Sequence, residues 1–97
     1  MRLWPKFLTY GNWGGAGWSG GKFTNDKAAV NWDVPGMDAM DIAFKVHDYR
    51  YQYGKSRREA DVLLVDALLE TNVKGTWPNI YRICAILIFT IKSLFEK

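Results

Sequence analysis

The sequence predicts a small, mainly α-helical fold, and three observations support this prediction. The chain has 97 residues, a length that suits one domain, so residues 1–97 are treated as a single domain. Hydrophobic residues make up 48% of the sequence, which is enough for a packed core. Six of the nine glycines fall within residues 10–21, and the rest of the chain carries helix-capping and helix-ending residues. Together these features predict a three-helix domain with a glycine-rich loop near its N-terminus.

The glycine-rich segment and the first helix follow one another along the chain. A stretch with the glycine density of residues 10–21 does not form a helix or a regular strand, so we expect a loop there. Residues 22–37 carry turn signals and are also expected to be loop. A helix is predicted over 38–53, because Asp38 can cap its first turn and Gly54 can end it.

Two further helices complete the predicted fold. The second is predicted over 56–72, because Ser56 followed three residues later by Glu59 has the spacing of a capping box. The third is predicted over 79–96, after a break that includes Pro78. We expect this apolar third helix to lie mainly in the core, where it would close the contact between the other two.

Composition and charge narrow the class of protein. The formal net charge of +3 suits an anionic surface such as a membrane, and it is too small and dispersed to indicate a nucleic-acid partner. The single cysteine, Cys84, excludes an intramolecular disulfide and is expected to be a small buried residue. No secretory signal is expected from Met1–Leu8, and the apolar run Ile83–Ile91 is short of the ~20 residues that a membrane span needs. We therefore expect a soluble or peripheral protein.

The only histidine of the chain is predicted to face the protein interior. On a wheel of about 100° per residue, His47 shares an apolar face with the residues Met40, Ala43, Phe44 and Tyr51. Four polar residues lie on the opposite side, which is expected to face solvent: Asp38, Asp41, Lys45 and Gln52. Asp48 lies about 100° from His47, at the boundary, where a carboxylate can bind a cation and stay accessible.

The second helix places an acid where an apolar residue would be expected. Three acids, Glu59, Asp66 and Glu70, share one edge that is expected to be solvated. Asp61 lies about 200° from Glu59, on the apolar face of that helix. Burying a carboxylate is costly unless it gains a hydrogen-bond partner, so we predict that Asp61 accepts a hydrogen bond from His47.

Two interpretations of this histidine–aspartate pair remain open. Both residues can be core polar groups that only satisfy each other, which is the commoner role of buried polar residues. Asp48 and the carbonyl groups of the glycine-rich loop favour a functional role instead. Ca²⁺ takes about six to eight oxygen ligands, readily from carboxylates and backbone carbonyls.

The residues then resemble a known family, the secreted phospholipases A2. The segment Tyr10-Gly-Asn-Trp-Gly-Gly-Ala-Gly17 is similar to the calcium loop of that family. The family's active-site helix carries the pattern DxxxxxHDxxY, which matches Asp41, His47, Asp48 and Tyr51, and its second-helix aspartate matches Asp61. The resembling segments span residues 10–66, about half of the chain.

The resemblance implies a set of roles for individual residues. The backbone carbonyls of Trp13, Gly15 and Gly17, together with the Asp48 carboxylate, would bind Ca²⁺. His47 would be the general base that activates a water molecule, and Asp61 would orient its ring. Tyr51 would donate a hydrogen bond to Asp61, and the Gly15 N–H would help to stabilise the oxyanion. The implied reaction is hydrolysis of a glycerophospholipid ester at the sn-2 position on a membrane surface.

The sequence departs from the animal and venom members of that family, which are cross-linked by disulfides. Five positions where those members carry cysteine hold other residues here: Asn12, Gly14, Ala43, Phe44 and Arg50. The chain therefore looks closer to disulfide-free relatives, such as the phospholipase domain of parvovirus capsid proteins and small phage and bacterial proteins.

Membrane contact has two candidate locations in the sequence. One is an N-terminal cluster of the apolar residues Leu3, Trp4, Phe7 and Leu8, with Arg2 and Lys6 beside them. The other is the apolar stripe of the third helix, which would also invite dimers if it were exposed. Trp13 and Trp18 could line an acyl-chain entrance, and packing of the loop is an equal alternative for both.

Two alternatives to an autonomous enzyme stay open at this stage. The chain could be a catalytically silent module that binds calcium or a membrane on the same scaffold. It could also be a toxin or capsid module that is active only within a larger assembly or on a signal from a partner protein.

Overall fold

Three α-helices form most of the protein within residues 9–15, 18–23, 30–54 and 56–95, which the computed structural model describes. In chain order they are α1 (Ala39–Tyr53), α2 (Arg57–Glu70) and α3 (Thr76–Phe95). Both α1 and α3 pack against α2. The predicted fold class, a small and mainly helical domain, is confirmed.

The helix starts follow from capping residues in the sequence. The Asp38 side chain accepts the Asp41 N–H at 2.8 Å, and the Ser56 hydroxyl accepts the Glu59 N–H at 3.1 Å. Both predicted caps are therefore present. Gly54 follows the last residue of α1, and its N–H donates to the Arg50 carbonyl at 2.7 Å.

The two later helices differ from their predicted bounds. Helix α2 ends at Glu70, two residues early, where the Thr71 hydroxyl donates to the Ala67 carbonyl. Helix α3 begins at Thr76, three residues early, and Pro78 lies inside its first turn instead of in the preceding break. A proline is tolerated there, since the first turn of a helix has no intrahelical use for its N–H groups.

A short hairpin interrupts the glycine-rich segment and corrects the prediction of loop throughout it. Strands β1 (Trp18–Ser19) and β2 (Lys22–Phe23) pair antiparallel, with Ser19 opposite Lys22. Gly20 and Gly21 connect them with φ angles of +66° and +78°. A two-residue hairpin turn of this type needs positive φ at both positions, which glycine adopts without strain.

The core lies between α2 and the other elements. Its fully buried apolar side chains come from the loop, α1 and α2: Trp13, Met40, Leu64 and Leu68. The Trp13 ring stacks on Trp32 at a centroid distance of 5.2 Å, and its indole N–H donates to the Val34 carbonyl at 3.1 Å. Trp13 therefore packs the loop onto the core, and it does not line an entrance for an acyl chain.

Helix α3 is the largest departure from the sequence-based expectation. Its buried residues are Ala85 and Ser93, while many of its apolar side chains are exposed. Cys84, expected to be buried, is exposed. With its flanking residues the helix reaches 20 residues, so it is long and apolar enough to cross a membrane by length and composition alone. The run Ile83–Ile91 taken by itself predicts a segment too short to span a membrane, because it leaves out the flanking residues of the helix.

Two neighbouring leucines on α2 test the assignment of the core. Leu68 is fully buried and Leu69 is 61% exposed. We expect Leu68→Ala to lower the free energy of unfolding by about 2–5 kcal/mol, because it leaves a cavity. The matched control Leu69→Ala should change it by less than about 0.5 kcal/mol. Urea denaturation followed by circular dichroism measures both, and equal costs would contradict the described packing.

Candidate active site

The predicted contact between the only histidine and the buried aspartate is present. His47 Nε2, on α1, lies 2.8 Å from Asp61 Oδ1, on α2. Asp61 is fully buried and His47 is 5% exposed. Because a carboxylate only accepts hydrogen bonds, this contact places the ring proton on Nε2 and leaves Nδ1 as the basic nitrogen. Phe89 of α3 packs edge-on against the imidazole at a centroid distance of 4.8 Å, which fixes the plane of the ring.

Two more side chains gather around the Asp61 carboxylate. The Tyr51 hydroxyl donates to Oδ1 at 2.7 Å, the contact that the family resemblance implied. The Lys92 ammonium lies 3.8 Å from Oδ2 and donates to the Tyr51 hydroxyl. Among the described residues Oδ2 has no hydrogen-bond partner, and at this distance Lys92 acts on it through charge. Lys92 thus brings α3 to the site, a role that the sequence analysis missed.

Asp48 lies on the other side of the imidazole. Its Oδ1 is 3.8 Å from His47 Nδ1, too far for a direct hydrogen bond. Its Oδ2 accepts the Ser19 hydroxyl at 2.8 Å. The side chain of Asp48 is 17% exposed, which agrees with its predicted position at the boundary of the buried face. The hairpin therefore holds Asp48 beside the free ring nitrogen.

Asp41 anchors the glycine-rich loop, and its predicted exposure was wrong. It is fully buried, and its carboxylate accepts three backbone N–H groups: Asn12 at 2.9 Å, Trp13 at 2.8 Å and Met37 at 2.8 Å. The helical wheel recognised the face of α1 that meets α2. It could not recognise that the loop covers a second face, because that contact comes from residues far away in sequence.

The close approach of the loop to Asp41 requires glycine at position 11. Gly11 has a φ of +54°, and a Cβ atom there would lie 2.5 Å from the Asp41 carboxylate. A side chain at this position would therefore push the loop away from α1. The contact with Asp41 therefore explains why residue 11 is a glycine.

The proposed cation ligands differ in how far the structure describes them. Gly15 has a φ of +130°, and its carbonyl accepts the Trp18 N–H at 3.2 Å. Ser19, which follows Trp18, donates its hydroxyl to Asp48, so the loop and that carboxylate are neighbours. Gly17 lies outside the described residues. Carbonyl and carboxylate oxygens are the donors that Ca²⁺ prefers, so the chemistry of this set fits the ion.

Side chains alone do not form a metal site in the described ranges. No group of three or more His, Cys, Asp or Glu side chains is placed there to hold a metal ion. Calcium binding at Asp48 would therefore depend on the backbone carbonyls of the loop.

Acidic side chains at α1 act on two neighbouring tyrosines. Burial raises the pKa of the Tyr81 hydroxyl, and the charges of Asp41 and Asp48 raise it further. Burial also raises the pKa of Tyr10, whose hydroxyl donates to Asp38. Both tyrosines stay neutral, so they do not add to the negative charge of these three acids. A cation beside Asp48 would be attracted by that charge.

Other sequence-based candidates either fall outside the described residues or support the loop. The N-terminal residues Leu3, Trp4, Phe7 and Leu8 are outside the described residues. Trp18 donates its indole N–H to the Gly11 carbonyl at 2.9 Å, so it braces the loop. A shallow cavity of about 280 Å³ lies on the side of α1 opposite His47, lined by Trp32, Lys45, Val46 and Tyr49.

Comparison with known families, curated proteins and solved structures gives no match for this chain in any of the three. A functional assignment therefore depends on the motif residues and on the geometry of the site.

The role of Asp41 can be tested with an isosteric change. We expect Asp41→Asn to lower the free energy of unfolding by about 3 kcal/mol, because the amide N–H₂ would face backbone donors that need an acceptor. Asp38→Asn is the matched control, since asparagine caps helices equally well and the Tyr10 hydroxyl can accept instead of donate. Urea denaturation measures both variants. Equal small effects would show that Asp41 does not hold the loop.

The shared support of Asp61 can be tested by a double-mutant cycle. Tyr51→Phe and Lys92→Met each remove one partner, and each should cost about 1–2 kcal/mol of unfolding free energy. Because Lys92 also contacts the Tyr51 hydroxyl, the double variant should deviate from additivity by about 1 kcal/mol. Lys74→Met, an exposed lysine, is the control. Additive costs would contradict a single cluster.

Proposed function

We propose that this protein is a calcium-dependent, phospholipase A2-like hydrolase of glycerophospholipid esters, acting at the sn-2 position. One observation carries the proposal: Asp61 holds His47 through Nε2, and the free Nδ1 points to the side of the ring where Asp48 lies. A purely structural pair needs no acidic, partly accessible group beside the second nitrogen. A hydrolytic site needs one to place a cation near the reacting ester.

In the proposed reaction, His47 acts as the general base. Nδ1 accepts a proton from a water molecule as the water oxygen attacks the ester carbonyl carbon. The imidazolium keeps its Nε2–H on the Asp61 carboxylate, which stabilises the new positive charge and keeps the ring in place. When the tetrahedral intermediate collapses, Nδ1 returns the proton to the departing alkoxide. The products are a fatty acid and a lysophospholipid.

Tyr51 and Lys92 act in this proposal as positioning residues. They contact Asp61, which bonds to Nε2, while the proposed reaction takes place at Nδ1. Their hydrogen bond and charge offset part of the cost of burying the carboxylate. Asp61 can therefore stay aligned with Nε2 through the reaction.

The proposed calcium site uses Asp48 and the carbonyls of Trp13, Gly15 and Gly17. When bound, the ion would polarise the ester carbonyl and stabilise the negative charge that develops on its oxygen. The Gly15 N–H is proposed to donate to the same oxygen. Asp41 stabilises this arrangement, because its carboxylate binds the backbone N–H groups of Asn12 and Trp13.

The test is release of fatty acid from mixed phospholipid vesicles, with Ca²⁺ and with a chelator. We expect activity in the wild type with Ca²⁺, and a loss of roughly 10²- to 10⁴-fold in His47→Ala. His47→Gln is the matched variant, because its amide can still donate to Asp61 but cannot act as a base. It should fold like the wild type and be equally inactive.

Thermal stability with and without Ca²⁺ separates binding from catalysis. We expect Ca²⁺ to raise the Tm of the wild type and of His47→Gln, but not that of Asp48→Ala, which loses its proposed carboxylate ligand. Asp66→Ala, an exposed acid on α2, is the control and should behave like the wild type. Calcium-dependent stabilisation without any hydrolysis would contradict the proposed enzyme and favour a catalytically silent calcium-binding module. Equal turnover in all variants would remove the proposal.

A further inference from the structure

The outer face of α3 is the most apolar exposed surface in the described part of the chain. Seven large side chains of this helix are 46–82% exposed: Ile80, Ile83, Leu87, Ile88, Ile91, Leu94 and Phe95. Cys84 is exposed among them. On a wheel of about 100° per residue these eight positions fall within an arc of about 140°. Monomeric soluble proteins rarely leave such a continuous apolar surface in water.

The opposite face of α3, its inner face, packs against the rest of the protein. Arg82 donates to the Leu68 carbonyl at 3.0 Å, and Lys92 lies 3.8 Å from the buried Asp61. Phe89 packs against His47. If α3 left α2 to cross a membrane, the charges of Arg82, Lys92 and Asp61 would lose these contacts. The helix is therefore suited to lie on a membrane rather than to span it.

The width of the outer face argues against a second copy of the chain as its partner. A helix pair buries a narrow seam, which here would be Ile80, Cys84, Leu87 and Ile91. The edges of a protein interface are normally polar. At the edges of this face lie Ile83, Ile88 and Phe95, which one partner helix would leave in water. A lipid surface covers all of these side chains together.

The charges around α3 suit an anionic surface. The sequence of α3 contains no acidic residue, and its two charged residues, Arg82 and Lys92, are basic and belong to the inner face. Lys74 is exposed just before the helix, and Arg57 lies near its other end, where it and Lys92 both pack on the Tyr51 ring. Basic groups beside an apolar helix face attract anionic lipid headgroups.

The exposed acids of α2 lie on its other side. Glu59, Asp66 and Glu70 are exposed and fall on the side of α2 opposite Asp61, which faces Lys92. They therefore do not oppose the approach of anionic headgroups to α3.

We propose that the outer face of α3 docks the protein on an anionic phospholipid surface, with the helix axis parallel to the surface. The proposal deepens the proposed lipid hydrolysis, on which it rests for the choice of lipid as partner. In the described structure the outer-face residues lie opposite those that reach His47 and Asp61. The face therefore supplies adsorption, and adsorption can be measured apart from the chemistry.

Cys84 allows a direct test, because it is the only cysteine of the chain and lies within the outer face. The full chain is labelled there with an environment-sensitive fluorophore and mixed with vesicles in the presence of a chelator. We expect a blue shift and a several-fold rise in emission with phosphatidylglycerol-containing vesicles, and a much smaller change with phosphatidylcholine alone. Nitroxide groups near the headgroup should quench the label more than nitroxides at the end of the acyl chain.

Two leucine variants show whether the response belongs to this face. Leu87 on α3 is 58% exposed and Leu69 on α2 is 61% exposed, so both tolerate a charged replacement without loss of core packing. Leu87→Glu should weaken vesicle partitioning at least about tenfold, because it loses buried apolar area and adds a negative charge. Leu69→Glu should change partitioning less than about twofold. Co-sedimentation of unlabelled protein gives the same comparison without the fluorophore.

Three outcomes would overturn the docking proposal. Strongest quenching by the deep nitroxide would place Cys84 at the bilayer centre and mean that α3 spans the membrane. No response to lipid, together with a dimer in light scattering that Leu87→Glu dissolves, would mean that a second copy covers the face. Equal losses in Leu87→Glu and Leu69→Glu would mean that adsorption is not specific to α3.

The failure of the docking proposal and that of the proposed hydrolysis have different signatures. Because the docking assays contain a chelator, they do not require turnover. Docking without fatty-acid release would contradict only the proposed hydrolase activity. Hydrolysis of dispersed short-chain phospholipid without docking would contradict only the proposed membrane contact of α3.

Discussion

The buried carboxylate of Asp61 is the constraint on which the arrangement of the helices depends. Taking a charge out of water costs several kcal/mol unless partners replace the lost hydration. The partners come from both neighbouring helices: His47 and Tyr51 from α1, and Lys92 from α3. One acid on α2 therefore determines which residues of the other two helices face inward. The same contacts leave the other imidazole nitrogen for the proposed base chemistry.

A second buried acid organises the irregular part of the chain. Asp41 and Asp48 are seven residues apart and so lie on the same side of α1, which the loop and hairpin cover. Asp41 binds backbone N–H groups of the loop, and Asp48 binds Ser19 of the hairpin. In a chain with one cysteine, these hydrogen bonds position the loop where cross-links are not available. The proposed calcium ligands are thus placed by buried polar contacts.

The two faces of helix α3 lie in different environments. Its inner face supplies Phe89 and Lys92 to the site, while its outer face leaves Leu87 and its apolar neighbours in water. A helix that is apolar on nearly all sides is normally surrounded by protein or lipid. Because the inner face already binds the protein, the outer face is the one that we propose to contact lipid. This division links the proposed chemistry to a proposed surface for adsorption.

The sequence by itself determined the helical class and the caps at Asp38 and Ser56, because these follow from local spacing. It also predicted the meeting of His47 with Asp61, because two polar groups on apolar helix faces need a buried partner. Periodicity and capping act within a few residues, so one chain segment carries the whole signal. The burial of Asp41, the ion pair of Lys92 and the exposure of α3 were decided only by the tertiary structure. Each depends on which distant segment covers a given helix face, and a wheel drawn for one helix contains no information about its neighbours.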